Sequence, residues 1–183
     1  MIFVSAGHYP SKPGAGYEGF FEHDEAVKWQ NLIIDALGGK ASFVPAGVLK
    51  SKVDFINSRK QDDSLAMEIH FNAARDSNDN PIGRGCETLY YPDSKNGKTL
   101  ATAVNDAMAK FFPPDRGIKE GWYRMNPKNG PDFFLKRTHC PAIIIEPDFI
   151  HRRIRITTNR EEACDGVADA LLQAQISIYG DSK

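Results

Sequence analysis

The stretch Ala142–Glu146, with the sequence AIIIE, decides how this chain of 183 residues folds. Three consecutive isoleucines do not fit a strand with one wet face, but they suit a strand that is covered on both faces. Such a strand lies in the middle of a sheet, so Glu146 ends the most buried strand of the chain. An unpaired buried carboxylate is costly. The stretch therefore predicts both a layered fold and an acid that needs a partner.

Short apolar segments alternate with amphipathic ones along the rest of the chain. Apolar residues at helical spacing predict helices over 26–37 and 100–111, and a Thr158-x-x-Glu161 capping box predicts the start of a third. The predicted strands are Ile2 to Ala6, Ala41 to Val44, Leu65 to Phe71, Cys86 to Tyr91 and Ala142 to Glu146. This order predicts a single α/β domain over residues 1–183, with a central, mostly parallel twisted sheet and helices on both faces.

Composition and charge exclude several classes of function. A formal net charge of −1 argues against a nucleic-acid binder, which needs a basic excess to contact phosphates. The first four residues already resemble a strand, and no apolar run approaches the roughly 20 residues that cross a bilayer. We therefore expect a protein made in the cytoplasm without a signal peptide and without membrane insertion.

A glycine motif near the N-terminus offers one interpretation of the first loop. Gly14, Gly16 and Gly19 form the G-x-G-x-x-G pattern of dinucleotide-binding turns. In that turn the first glycine follows the strand at once, but here residues 7–13 intervene. The second predicted strand also lacks the acidic residue that binds a ribose. A flexible surface loop is therefore the better interpretation of these glycines.

A second interpretation of the same region is a metal site. His8 follows the first strand, and His70 lies near the end of the strand LAMEIHF. Glu22 lies at the start of the first helix, which must begin at the edge where the first strand ends. Because ligand sites of open α/β sheets lie at the carboxyl ends of strands, the three side chains can converge. Two imidazoles and one carboxylate form a ligand set of catalytic zinc.

Each of these residues also has a structural explanation when taken alone. A single histidine is more often a hydrogen-bonded structural residue than a ligand, and a glutamate at a helix start is favoured by the helix dipole. His23 competes with Glu22 as a ligand, although adjacent residues point to different sides of the chain. Glu146 is harder to explain structurally. The metal hypothesis therefore depends on the four residues taken together and not on any one of them.

The chain resembles the zinc-dependent N-acetylmuramoyl-L-alanine amidases of the amidase-3 type along nearly its whole length. The motifs that carry the resemblance are VSAGH (4–8), GFFEHDEAVKWQNLI (19–33), AMEIHFNAA (66–74), GCETLYY (85–91), DRGIK (115–119) and CPAIIIEPDFI (140–150). The resemblance implies that His8, Glu22 and His70 bind one Zn²⁺ per chain and that Glu146 is the catalytic acid and base. It also implies that the enzyme cleaves the amide between N-acetylmuramic acid and L-alanine of peptidoglycan.

The expected activity leads to further expectations about substrate binding and biological role. We expect Asn72, in the His-x-Asn motif, and the cations Arg116, Lys136 and Arg137 to bind the substrate, although each cation is as readily an ordinary surface charge. The segment 120–134 is interpreted as a surface loop that either lines a substrate groove or is a plain excursion. We expect a monomeric catalytic domain without a separate cell-wall-binding domain. It would be an endolysin, as in bacteriophages, or an autolysin, reaching the wall through a membrane lesion.

Two other functions fit the same residues. A zinc peptidase of similar build would cut peptide bonds instead of the sugar-peptide amide. A non-catalytic module would use the same groove only to bind peptidoglycan, without zinc and without turnover.

Overall fold

The structure, a computed structural model, describes residues 1–121 and 133–180. Most of the predicted loop 120–134 thus lies outside the described residues. The strands are β1 (Ile2–Ala6), β2 (Gly16–Tyr17), β3 (Phe20–Phe21), β4 (Ala41–Val44), β5 (Leu65–Ile69), β6 (Cys86–Tyr90), β7 (Asp115–Glu120) and β8 (Ala142–Glu146). The helices are α1 (Glu22–Leu37), α2 (Leu49–Arg59), α3 (Lys95–Ala109), α4 (Phe133–Arg137) and α5 (Arg153–Tyr179).

Six of these strands form the main sheet, in the order β4-β1-β5-β8-β6-β7. Neighbouring strands are parallel except β6 and β8, which are antiparallel. β8 lies inside the sheet between β5 and β6, and all five of its residues are buried. The prediction of a mostly parallel α/β sheet with AIIIE inside it is confirmed.

The isoleucines of β8 explain why this strand is apolar throughout. Ile143 and Ile145 pack into the larger core, together with apolar residues of α1, α3 and α5. Ile144 packs on the other face with α2 and α4, against residues such as Ile56 and Phe134. Each fully buried side chain of this size contributes about 1.5–3 kcal/mol of transfer free energy. Helices therefore cover both faces and leave the strand ends as the accessible polar edges.

The predicted start of the last helix is wrong. α5 begins at Arg153, so Thr158 lies inside the helix instead of capping it. The first turn is anchored by arginine side chains on the buried Asp148, including Arg155 at 3.2 Å between Nε and Oδ2. This tertiary contact extends the helix beyond the point that the local capping pattern indicated.

The sequence analysis also missed α2 and β7. α2 buries only one narrow side, which includes Val53 and Ile56, and its other positions are largely polar. β7 is the edge strand of the sheet, and none of its residues is fully buried. Neither segment therefore carries a strong hydrophobic period. Among the described helices, none is both long enough and apolar enough to span a bilayer.

Candidate metal centre

Three side chains meet at the carboxyl edge of β1 and β5. The Oε1 atom of Glu22 lies 3.0 Å from Nε2 of His8 and 2.9 Å from Nδ1 of His70. The centroids of the two imidazole rings are 4.9 Å apart. One possible ligand atom from each residue lies within 4.8 Å of the others. The predicted trio is therefore brought together at a spacing from which one metal ion can be bound.

Local backbone structure holds Glu22 and His8 in place. Glu22 is the first residue of α1, and its carboxylate accepts hydrogen bonds from the backbone N–H of Ala15 (3.0 Å) and of Phe71 (3.1 Å). Gly14 passes so close that an added Cβ would lie 2.5 Å from both Glu22 and His8, and its φ is +78°. The loop glycine is therefore required by the close approach of backbone to these ligands.

The contact between Glu22 and His70 shifts the pKa of both groups. Burial opposes the charge of Glu22, but hydrogen bonds from His70 and His8 outweigh burial and hold the pKa of this carboxyl far below its usual range. Burial alone would lower the pKa of His70, whereas hydrogen bonds to Glu22 and Glu68 raise it to about 10. Two imidazole nitrogens from partly buried histidines around one ionised carboxylate form a donor set that fits a divalent cation. A bound metal must displace a proton from His70.

Glu146 ends the strand next to His70. The backbone N–H of His70 donates to the carbonyl of Ile145 at 2.9 Å, which aligns the end of β5 with the end of β8. On its other side Glu146 is paired in register with Glu87 of β6. The side chain is 9% exposed. An acid thus lies one strand away from the three possible ligands, at the same edge of the sheet.

Two of the predicted substrate-binding residues lie beside that acid, where they contact Glu87. Asn72 donates from Nδ2 to Oε1 of Glu87 at 2.9 Å, and Arg116 lies 3.3 Å from Oε2 of the same carboxylate. The ammonium of Lys119 also pairs with Glu87. The Arg116 guanidinium stacks over the Phe149 ring at 5.0 Å. These contacts fill part of the hydrogen-bonding capacity of both predicted residues.

The structure does not bring Lys136 and Arg137 to the three possible ligands. Both belong to α4, which precedes β8 and so lies at the amino edge of that strand. The carbonyl of Arg137 accepts a hydrogen bond from Nδ2 of Asn57, near the end of α2 that is remote from the ligands. These two cations do not lie beside the three possible ligands, and their binding of substrate stays a prediction.

Two residues of the centre were missed in the sequence. Glu68 and Lys52 are each 2% exposed and form an ion pair of 2.9 Å directly behind His70. The available signal was an acid inside an apolar strand, two residues before His70. His23, the competing ligand, has its Nδ1 atom 2.8 Å from the carbonyl of Gly7 in a buried contact, as a structural histidine does.

Comparisons with known proteins give a family match over most of the chain. A family model described as N-acetylmuramoyl-L-alanine amidase matches residues 2–173. No curated protein sequence matches the chain significantly.

Several solved structures share the fold. An N-acetylmuramoyl-L-alanine amidase from Clostridium difficile 630 is 21% identical, with a TM-score of 0.74 over 100% of this chain and 97% of that one. AmiC2 of Nostoc punctiforme, also an N-acetylmuramoyl-L-alanine amidase, is 18% identical, with a TM-score of 0.76 over 94% and 96%. The catalytic domain of the CD27L endolysin, which targets Clostridia Difficile, is 21% identical, with a TM-score of 0.71 over 94% and 96%.

Proposed function

This chain belongs to the N-acetylmuramoyl-L-alanine amidase family and is an enzyme acting on peptidoglycan, and we propose that it works with one zinc ion held by His8, Glu22 and His70. The proposal depends on one observation above the others, the convergence of two imidazole nitrogens on a single carboxylate oxygen. Nitrogen donors from histidine with one carboxylate suit Zn²⁺, whereas Mg²⁺ and Ca²⁺ prefer all-oxygen sites. All three residues come from one chain, which supports a monomeric catalytic unit.

Glu146 is the proposed general acid and base. Zinc, when bound, supplies a Lewis acid for the amide carbonyl and makes water a nucleophile near neutral pH. Glu146 takes the proton of the attacking water and then donates it to the departing nitrogen of L-alanine. The position of Glu146 at the end of β8, in register with Glu87 and one strand from His70, supports this role.

Asn72 and Arg116 are proposed to contact the substrate on the side of the site nearest β6. Their contacts with Glu87 fix their side chains close to Glu146. A guanidinium that is 30% exposed can still offer donors to a stem-peptide carboxylate.

The proposed biological role is cell-wall lysis as an endolysin or autolysin. The similarity of the fold to an endolysin catalytic domain supports this role. The test is to express the chain in a bacterial cytoplasm and to permeabilise the membrane chemically. Lysis that follows permeabilisation is expected, with Glu146→Gln as the inactive control. Equal survival of cells that express the two forms would contradict the proposed role.

The biochemical test combines metal content with product analysis. Elemental analysis of the purified protein should give about one zinc per chain. Digestion of purified cell walls should release new N-terminal alanine without new reducing ends. New amino termini on other residues would instead indicate a zinc peptidase. A wall-digesting protein without zinc would contradict the metal proposal.

A further inference from the structure

A buried ion pair lies directly behind the candidate metal centre. Lys52 of α2 and Glu68 of β5 are both almost completely buried. Buried ion pairs are weak sources of stability, because desolvating two charges costs about as much as their attraction returns. Apolar residues of similar size would serve the core at least as well. The pair therefore requires an explanation other than stability.

The two carboxylate oxygens of Glu68 contact different partners. Oε2 lies 3.2 Å from Nε2 of His70, and Oε1 accepts from Lys52 Nζ at 2.9 Å. The other nitrogen of His70, Nδ1, faces Glu22 in the centre. An imidazole that binds a metal through one nitrogen carries its proton on the other, and an acceptor for that proton fixes the tautomer and the ring orientation. Glu68 is placed as that acceptor.

Lys52 connects Glu68 to the strand that carries the other histidine. Besides Glu68, its ammonium donates to the backbone carbonyls of Ala6 and His8, the latter at 3.0 Å. All three ammonium protons are thus used. One buried cation holds both the carboxylate behind His70 and the backbone at His8, and it cancels the charge of Glu68.

We propose that Glu68, held by Lys52, is a positioning residue that keeps the Nδ1 atom of His70 directed at the metal. The inference rests on the proposed zinc function, since it concerns the same site. A purely structural ion pair would affect folding but not the affinity for metal, and this difference makes the proposal testable.

The main test is the zinc affinity of Glu68→Gln, measured by competition with a chromogenic chelator. A glutamine has one acceptor oxygen where Glu68 uses two, so one of the bonds to His70 and Lys52 is lost. Loss of such an outer-shell partner weakens metal binding by about 10–100-fold. In the wild type loaded with zinc, ¹⁵N NMR should show the His70 ring protonated only at Nε2, as binding through Nδ1 requires.

A matched control uses a second buried glutamate. Glu25 is fully buried and pairs with Arg160 of α5, away from both histidines. Glu25→Gln should lower the melting temperature and leave the zinc affinity unchanged. Equal losses of zinc affinity in Glu25→Gln and Glu68→Gln would overturn the proposal, as would an unchanged affinity in Glu68→Gln.

A double variant covers the case in which Glu68→Gln does not fold. Lys52→Met with Glu68→Leu removes both charges and keeps the core filled, so the metal-free fold should be retained while zinc affinity falls. Wild-type affinity in the double variant would overturn the positioning role alone. A wild-type chain that takes up no zinc would overturn this proposal and the zinc function together. Wild-type protein that binds zinc but releases no alanine would overturn only the proposed reaction.

Discussion

The two edges of the central sheet differ sharply in what they bury. The carboxyl edge of β1, β5 and β8 gathers ionisable side chains that are partly or wholly buried: His8, Glu22, Glu68, His70 and Glu146. The amino edge of the same strands carries surface contacts, such as the N-terminal ammonium on Asp63 at 3.3 Å and the Tyr179 hydroxyl on the carbonyl of Ser64 at 3.2 Å. The ionisable side chains at the carboxyl edge are therefore partly or wholly shielded from water around the three possible ligands, whereas the charges at the amino edge stay near the surface.

The largest effect is expected when a proposed ligand at the carboxyl edge is removed. His70→Ala should lose both metal and activity, because only two of the three donors, His8 and Glu22, remain. The loss of zinc affinity should exceed the roughly 100-fold that an outer-shell partner costs. Chelator competition and release of alanine from walls measure the two effects. A variant that retained zinc would remove His70 from the ligand set.

Glu146→Gln tests the acid without touching the ligands. The amide cannot accept the proton of water, so turnover should fall by about 10²–10⁴-fold, the usual contribution of general acid-base catalysis. Zinc content should stay near one per chain, since Glu146 lies on the neighbouring strand. If the variant digested walls at the wild-type rate, Glu146 would have no part in proton transfer.

The ionisable groups at the carboxyl edge should also make the stability of the fold depend on pH. The raised pKa of His70 stabilises the metal-free fold fully below its ordinary value of 6.5, and this contribution is lost as the pH rises towards about 10. The lowered pKa of Glu22 stabilises the fold above its ordinary value of 4.5, and this contribution is lost as the pH falls. Zinc binding needs an unprotonated imidazole and strengthens with rising pH.

The melting temperatures of the zinc-loaded and metal-free proteins should therefore diverge between pH 6 and pH 9. Differential scanning calorimetry at fixed excess zinc measures the gap. His139, an exposed histidine at the amino edge, does not couple to zinc, so His139→Gln should reproduce the wild-type gap at each pH. A gap that stayed constant over this range would contradict protonation of His70 in the metal-free centre.

The smallest effects are expected at the amino edge. Lys136→Ala and Arg137→Ala should leave wall digestion within about twofold and the free energy of unfolding within about 0.5 kcal/mol, as is usual for surface substitutions. Arg116→Ala is the matched change at the other edge. It removes a partner of the fully buried Glu87 and should cost about 1–3 kcal/mol. If Arg116→Ala and Lys136→Ala lowered the free energy of unfolding by the same amount, the expected difference between the carboxyl and amino edges would be contradicted.

Segments with strong apolar periods were predictable from the sequence. AIIIE was assigned to the middle of the sheet because a strand covered on both faces needs no polar positions. The start of α5 was not predicted, because the contact of Arg155 with Asp148, a buried acid that precedes the helix, overrides the capping pattern at Thr158. The position of Lys136 and Arg137 at the amino edge of β8 could have been predicted, since residues directly before a strand lie at that edge.

By itself the sequence predicted the three possible ligands and Glu146 and the sheet edge at which they lie, because hydrophobic period and the order of elements can be followed along the chain. Only the tertiary structure decided that one oxygen of Glu22 meets both histidines, and that Lys52 reaches Glu68 behind them. Contacts between residues from different elements depend on how those elements pack. No pattern along the chain records that packing.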